Sequence, residues 1–358
     1  MKDPSFKQGF VAFAMVAMAF LLRENNPIPQ ERKLSLSEAM VISMKKIVVL
    51  DAGTLGDDLS LLPLEAEGEV TVYRVSPPDT VKERIRGADA VILNKVKIGE
   101  AQLPESDAPG IICVAATGFD NIDLEACRRH GVAVANVRGY SSESVAQVTV
   151  GLVLSLITHL PAYCRATADG SYTRGGNANM LTPTYHEIAG LTWGVVGAGK
   201  IGSRVADVAR ALGCRVLTNR RTPDGVSVDL ETLLRESDIV TVHTPLTPET
   251  RGLIGQRELS MMKDGVILVN MARGAVTDEV AVAEALKAGK LGALGCDVYS
   301  TEPFPESHPY YAIRDRENLL LTPHMSWGAY EARARCLDEM IRNMRSFFEG
   351  EERNRVDL

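Results

Sequence analysis

From residue 44 onward, short runs of β-branched and aliphatic residues alternate with longer stretches in which apolar and charged positions recur at helical spacing. The runs KIVVLD (46–51), VTVYRV (70–75), AVILN (90–94), IICVAA (111–116) and VAVANV (132–137) are bounded by Gly, Pro or Asp. They read as strands buried on both faces. Charged stretches between them, such as 79–89 and 121–131, predict helices. A second series starts at Leu191, with strands predicted at 191–197, 215–219, 239–244, 265–270, 292–298 and 318–324. Helices are predicted at 200–213, 229–238 and 277–290. The last of these has Thr277 or Asp278 as its cap, acids early and lysines late, matching the helix dipole. An amphipathic helix over 326–350 closes the chain. Alternating strands and helices predict an α/β fold of parallel sheets covered on both faces.

Two segments break this rhythm. Residues 142–163 read as a buried helix apolar on most sides, capped by Ser142 or Ser144, which connects two domains and can also face a partner subunit. Residues 168–190 are rich in Gly, Asn and Thr and without periodicity, so they read as a long functional loop. Upstream, FVAFAMVAMAFLL (10–22) is shorter than the about 20 residues of a membrane span. It resembles the apolar part of an export signal, but Ala17-Met18-Ala19 is poorly placed as a cleavage site. Residues 1–43 are expected to be a mispredicted start or a disordered appendage, with an export or membrane signal as the alternative.

The chain has 358 residues, a size for about two domains. Its net charge of -7 disfavours nucleic acid as a bulk partner. Six cysteines without a C-x-x-C pair read as reduced packing residues of a cytoplasmic protein. Six histidines without ligand spacing point to no metal site.

Three features carry chemistry. The first is GAGKIG (197–202), a GxGxxG that ends a predicted strand and opens a predicted helix, the context in which the motif binds a dinucleotide. Gly197 allows the tight turn, Gly199 lets the backbone approach a pyrophosphate, and Gly202 lets helix pack on strand. The helix N-terminus, with Lys200 and Ile201, offers N–H groups to phosphate. The second feature is VLTNRR (216–221). The acid that reads the adenosine ribose normally lies about 20 residues beyond the glycines. Here that place holds Asn219, Arg220 and Arg221. A guanidinium pairs with a 2′-phosphate where an acid would repel it, which favours NADP(H), with NAD(H) as the alternative. The third feature is the placement of Arg273, Glu302 and His324, each just beyond the carboxyl end of a predicted strand, where ligands of open α/β sheets bind.

The motifs ATGFDNIDLEA, NVRGYSSESVAQ, GVVGAGKIG, HTPLTPETRGLI, NMARGAVTDE, DVYSTEP and TPHMSWG together resemble the D-isomer-specific 2-hydroxyacid dehydrogenase family, over about residues 44–348. The resemblance implies a discontinuous, flavodoxin-like substrate domain (44–143 and 325–358) and an NAD(P)-binding Rossmann domain (144–324). It further implies that His324 exchanges a proton with the substrate oxygen, that Glu302 pairs with His324 and favours its protonated form, and that Arg273 holds the substrate carboxylate. Backbone N–H groups at Lys95, Val96 and Lys97 would meet the same carboxylate. Ala272 and Asp297 would lie near the nicotinamide, and His243, Thr244 and Pro245 would border the adenosine.

NVRGYSSESVAQ and HMSWG look most like glycerate dehydrogenases, also called hydroxypyruvate reductases. This implies a homodimeric enzyme reducing a small 2-keto acid such as hydroxypyruvate or glyoxylate. The alternatives are an NADH-dependent phosphoglycerate or D-lactate type enzyme and a non-catalytic, dinucleotide-sensing corepressor-like protein. A glutamate beside the histidine departs from the formate-oxidising branch, which uses glutamine. With the sequence ending at Leu358, the regulatory domain that many phosphoglycerate dehydrogenases carry is expected to be lacking. Arg138 stands where a proline is common before GYS. Neither nucleic acid nor membrane is expected as a partner.

Overall fold

The computed structural model describes residues 44–222 and 224–358. The expectations for residues 1–43 therefore lie outside the described residues. Two parallel sheets account for all the predicted strands. The first contains β1 (Lys45–Val49), β2 (Gly68–Val72), β3 (Ala90–Leu93), β4 (Ile111–Val114) and β5 (Ala133–Ala135) in the order β2-β1-β3-β4-β5. That is the flavodoxin-like order. The second contains β6 (Thr192–Val196), β7 (Arg215–Asn219), β8 (Ile239–Val242), β9 (Val266–Asn270), β10 (Leu291–Cys296) and β11 (Leu319–Leu321) in the order β11-β10-β9-β8-β6-β7. Strand order reverses beside β1 in the first sheet and beside β6 in the second, and such switch points open crevices at the strands' carboxyl ends.

Each sheet is covered on both faces because its strands are apolar on both. In the first, Leu50, Leu93 and Val114 pack against α1 (Val81–Ile85) and α2 (Leu124–Arg129). On the opposite face Ile47, Val49 and Ile92 pack against Cys336, Met340 and Met344 of α10 (Tyr330–Phe348), so the end of the chain returns to the first sheet. The segment beyond α10 also pairs with β5, Ala135 bridging Arg355 in antiparallel sense.

In the second sheet, Trp193, Val195 and Val269 pack against α3 (Ser142–Ile157) and α6 (Lys200–Ala211). Val240, Leu268 and Leu294 pack against α7 (Leu230–Glu236), α8 (Gln256–Met261) and α9 (Glu279–Lys287). Asp278 caps α9, accepting the N–H groups of Val280 and Ala281 at 3.1 Å each.

The apolar stretch 142–163 is not one helix. His159 turns into the left-handed region, and α4 (Leu160–Ala168) departs from α3 at 68°. Pro161 is the cause. It has no N–H for the carbonyl of Ile157, and its ring would collide with that carbonyl if the helix continued. Neither Ser142 nor Ser144 caps α3: the N-cap residue is Ser141, without a side-chain bond. The Ser144 hydroxyl instead donates to the carbonyl of Ser326, tying α3 to the segment after β11. Part of the expected loop over 168–190 is also helical, as α5 (Ser171–Gly175). Among the described residues no single helix is long and apolar enough to cross a membrane.

Five of the cysteines are buried and Cys164 is exposed. Burial pushes the thiols of Cys113 and Cys336 up to about 12, which leaves them inert packing groups. The packing around Leu268, which is fully buried, sets a stability expectation. Leu268→Ala should destabilise the protein by about 2–5 kcal/mol in urea unfolding. Val280→Ala, on exposed surface, should stay within about 0.5 kcal/mol.

Candidate active site

The carboxyl ends of β9, β10 and β11 deliver Arg273, Glu302 and His324 to one rim. Val242 of β8 pairs with Asn270 at the end of β9, and Asn270 with Cys296 at the end of β10, so the following loops emerge side by side. His324 and Glu302 meet there, with Nδ1 2.6 Å from Oε2. An ionised carboxylate only accepts, so Nδ1 carries the proton and Nε2 faces away from the pair. Burial alone would push the Glu302 carboxyl up. The hydrogen bond from His324, the N–H of Tyr299 at 3.0 Å and the cationic charges of His324 and Lys95 outweigh it and hold Glu302 below the usual carboxylate range. The pair is reachable: the side chains of His324 and Glu302 are 21% and 30% exposed.

His324 has a φ of 51°, a left-handed value that a non-glycine residue adopts only when its surroundings impose it. Asp297 imposes it. This carboxylate is fully buried and accepts the Thr322 hydroxyl at 2.6 Å and the N–H groups of Met325 and Ser326 at 2.9 and 3.0 Å. Asp297 thus clamps both sides of His324. Asn270 does the same for the turn before Arg273, donating to the carbonyl of Arg273 and accepting the N–H of Ala272, both at 3.0 Å.

Arg273 points toward the first sheet. A Cβ on Gly118, in the loop after β4, would lie 2.1 Å from its Nη2, so the missing side chain makes room for the guanidinium. Asp120 of the same loop lies 4.0 Å from Nε. Lys95 and Val96 behave otherwise than expected. Their N–H groups donate to the Asp51 carboxylate at 2.6 and 3.1 Å, and the N–H of Asn94 joins at 2.9 Å. Asp51 follows β1 and needs donors because it is buried, so Lys95 and Val96 do not hold these groups out to a substrate. Lys97 lies exposed in the same loop.

The glycine-rich turn follows β6 at the second switch point. Gly197 has a φ of 88°, and a Cβ there would lie 2.7 Å from the N of Thr244. A Cβ on Gly202 would lie 2.3 Å from the carbonyl oxygen of Gly197, whereas Gly199 has nothing within 4 Å. Gly199 starts α6 without a side-chain cap, and Lys200 reaches across to Gly139. Ile201 packs against the α3–α6 core.

Asn219 braces this turn, its carbonyl accepting the N–H groups of Gly197 and Ala198 at 3.0 and 3.1 Å. The Arg220 guanidinium lies along the first turn of α6, 3.1 Å from the Ser203 hydroxyl, and pairs with Asp224 at 3.1 Å. Arg221 is exposed. Beyond β8, the Thr250 hydroxyl fixes the carbonyl of Pro245 at 2.6 Å. Both ring nitrogens of His243 are buried without a partner among the described residues, and burial drives its pKa down to about 3, so the ring is neutral.

A sequence profile described as "D-isomer specific 2-hydroxyacid dehydrogenase, NAD binding domain" matches residues 150–326. The chain is 35% identical over 314 residues to the glycerate dehydrogenase of Methylorubrum extorquens, covering 87% of this chain and 99% of that one. The chain belongs to the D-isomer-specific 2-hydroxyacid dehydrogenase family. It is also 33% identical to a hydroxypyruvate reductase of Blautia hydrogenotrophica, over 87% of this chain and 99% of that one. Its fold matches D-lactate dehydrogenase from Aquifex aeolicus, complexed with NAD and lactic acid, with a TM-score of 0.75, 26% identity and coverage of 88% and 99%.

This dehydrogenase therefore uses a nicotinamide dinucleotide, and the residues present fit one. The approach to Gly199 is open, the N-terminus of α6 lacks a side-chain cap, and the orphaned imidazole of His243 stands beside the turn. Among the described residues, no three His, Cys, Asp or Glu side chains gather into a metal-holding group. Sequence reading missed the supporting roles of Gly118, Asn270 and Asp51. Gly118 and Asn270 had a signal, as members of ATGFDNIDLEA and NMARGAVTDE, whereas Asp51 lies outside those motifs.

Gly118→Ala tests the junction with Arg273. The new methyl group displaces the guanidinium rather than backbone, so the melting temperature should change little. The KM for the 2-keto acid should rise, and kcat/KM should fall by about 10²-fold, in steady-state assays.

Proposed function

We propose that this enzyme reduces hydroxypyruvate or glyoxylate with NADPH, using His324, Glu302 and Arg273. The observation that carries the reading is the 2.6 Å His324–Glu302 pair at the rim that Arg273 shares. The bound nicotinamide supplies the hydride, or takes it in the reverse direction. His324 gives its proton from Nε2 to the carbonyl oxygen. Glu302, held ionised, stabilises the protonated imidazole and fixes its orientation through Nδ1. Arg273 holds the substrate carboxylate and polarises the adjacent carbonyl, and its neighbour Gly118 gives it the space to do so. Names of relatives support this substrate class: glycerate dehydrogenase and hydroxypyruvate reductase each match over nearly their full length.

The preference for NADPH rests on Arg220. Its position beside Ser203 at the start of α6 suits a phosphate on the adenosine ribose, with Arg221 as a second cation. Asp224 holds the guanidinium until that phosphate replaces it. Asn219, Thr244, Pro245 and His243 line the adenosine side of the turn, and Ala272 lies on the nicotinamide side. We take 44–143 with 325–358 as the substrate lobe and 144–324 as the cofactor lobe, a division supported by the return of α10 to the first sheet. A second copy of the chain is the proposed partner, supported by the exposed apolar side chains of Leu160, Tyr172, Leu181 and Tyr185.

Initial rates with NADPH and NADH across hydroxypyruvate, glyoxylate, pyruvate and phosphohydroxypyruvate test the proposal. NADPH with hydroxypyruvate or glyoxylate should give the highest kcat/KM, and Arg220→Asp should move preference toward NADH. A wild-type preference for NADH of about tenfold, worth roughly 1.4 kcal/mol, refutes the role of Arg220. Absence of turnover on all four acids with either cofactor refutes the enzymatic reading.

A further inference from the structure

Behind the Glu302–His324 pair lies a second glutamate–histidine pair, inside the protein. Glu279 opens α9, and His308 lies between β10 and β11; their side chains are 9% and 4% exposed. His308 Nδ1 accepts the N–H of Tyr310 at 3.2 Å, so the ring proton sits on Nε2, which donates to Glu279 Oε2 at 3.0 Å. The rings of Tyr299, Phe304 and Tyr310 pack around the imidazole. The Glu279 carboxylate accepts two further bonds, both from Ser300: its N–H at 2.9 Å and its hydroxyl. A buried carboxylate persists only when paired and hydrogen-bonded in this way.

What the pair grips is the Tyr299–Ser300 peptide, where the supports of all three site residues meet. The N–H of Tyr299 donates to Glu302 Oε1. The Tyr299 hydroxyl donates to the carbonyl of Thr322 at 2.9 Å, two residues before His324. Gly274, next to Arg273, packs so tightly on this peptide that a Cβ would lie 2.0 Å from the N of Ser300.

We infer that Glu279, His308 and Ser300 are positioning residues that hold the Tyr299–Ser300 peptide and so aim the Glu302 carboxylate at His324 Nδ1. None of them donates to or accepts from His324. They act through Glu302, and the inference rests on the proposed acid–base role of that residue.

A double-mutant cycle separates positioning from general support. His308→Met removes the Nε2–H donor and fills the space. Ser300→Ala removes only the hydroxyl and keeps the variant set usable should the first fail to fold. Each is combined with Glu302→Gln, and kcat, the KM values for 2-keto acid and cofactor, and the melting temperature are measured. In the wild-type background each variant should lower kcat about 10- to 10²-fold with the cofactor KM unchanged. In the Glu302→Gln background the same substitutions should cost less than about twofold, because the group they aim is already lost. His308→Gln, which restores an N–H donor, should recover most of kcat. Equal losses in both backgrounds, or no loss in the first, overturn the positioning role. A Glu302→Gln enzyme that keeps wild-type kcat instead overturns the underlying acid–base reading.

Discussion

Parallel pairing is the constraint on which this molecule is built. When every strand of a sheet runs the same way, every loop that follows a strand opens on the same edge, however far apart the loops are in the chain. Gly197, His243, Arg273, Asp297 and His324 are spread over more than a hundred positions, yet each lies just past the end of a strand of the second sheet. The strand-order reversal at β6 then opens the crevice that the glycine turn borders. The first sheet repeats the arrangement on a smaller scale, with Asp51 and the loop after β3 at its own reversal.

Buried carboxylates are the device that holds these loops still. Asp51 gathers the N–H groups of residues 94–96, Asp297 those of Met325 and Ser326, and Glu279 that of Ser300. In each case a charge that would be costly alone is matched by donors of a loop that would otherwise be loose. A loop fixed by an anion near its backbone can carry a strained residue, which is how His324 keeps its left-handed conformation without glycine. Glu302 is the member of this set whose carboxylate remains partly open to solvent, with one oxygen on the Tyr299 N–H and the other on an imidazole.

Much of this was readable in the chain. Runs such as VILVN and IVTV are β-branched and apolar on both faces, and that composition is stable only as a central strand. The glycine spacing, and the places of Arg273, Glu302 and His324 after strands, followed from the same pattern. Other features were not readable, because they depend on which loops meet. Nothing local in NKVK tells that its N–H groups face Asp51, which is 44 residues from Lys95. Asp297 looked like a residue for lining the nicotinamide, and its clamp on the turn around His324 appears only once β10 and β11 are paired. The break at His159 was within reach, since Pro161 is visible in the sequence, but an unbroken apolar stretch outweighed it. The short helices α5 and α8 depend more on packing than on periodicity, and a five- or six-residue segment carries too little pattern to be recognised.

The return of α10 to the first sheet has a consequence for how the chain is made. One face of that sheet is closed by Ala332, Cys336, Met340 and Met344, which leave the ribosome well after β1 to β5 and after the whole second sheet. The second sheet and its helices are complete within residues 142–321 and can consolidate while synthesis continues. At about 5–20 residues per second, the strands from β1 to β5 wait on the order of ten seconds or more with an apolar face uncovered. The first sheet, made before the second, is thus sealed after it, and any premature stop before α10 releases a chain with that face open to other chains.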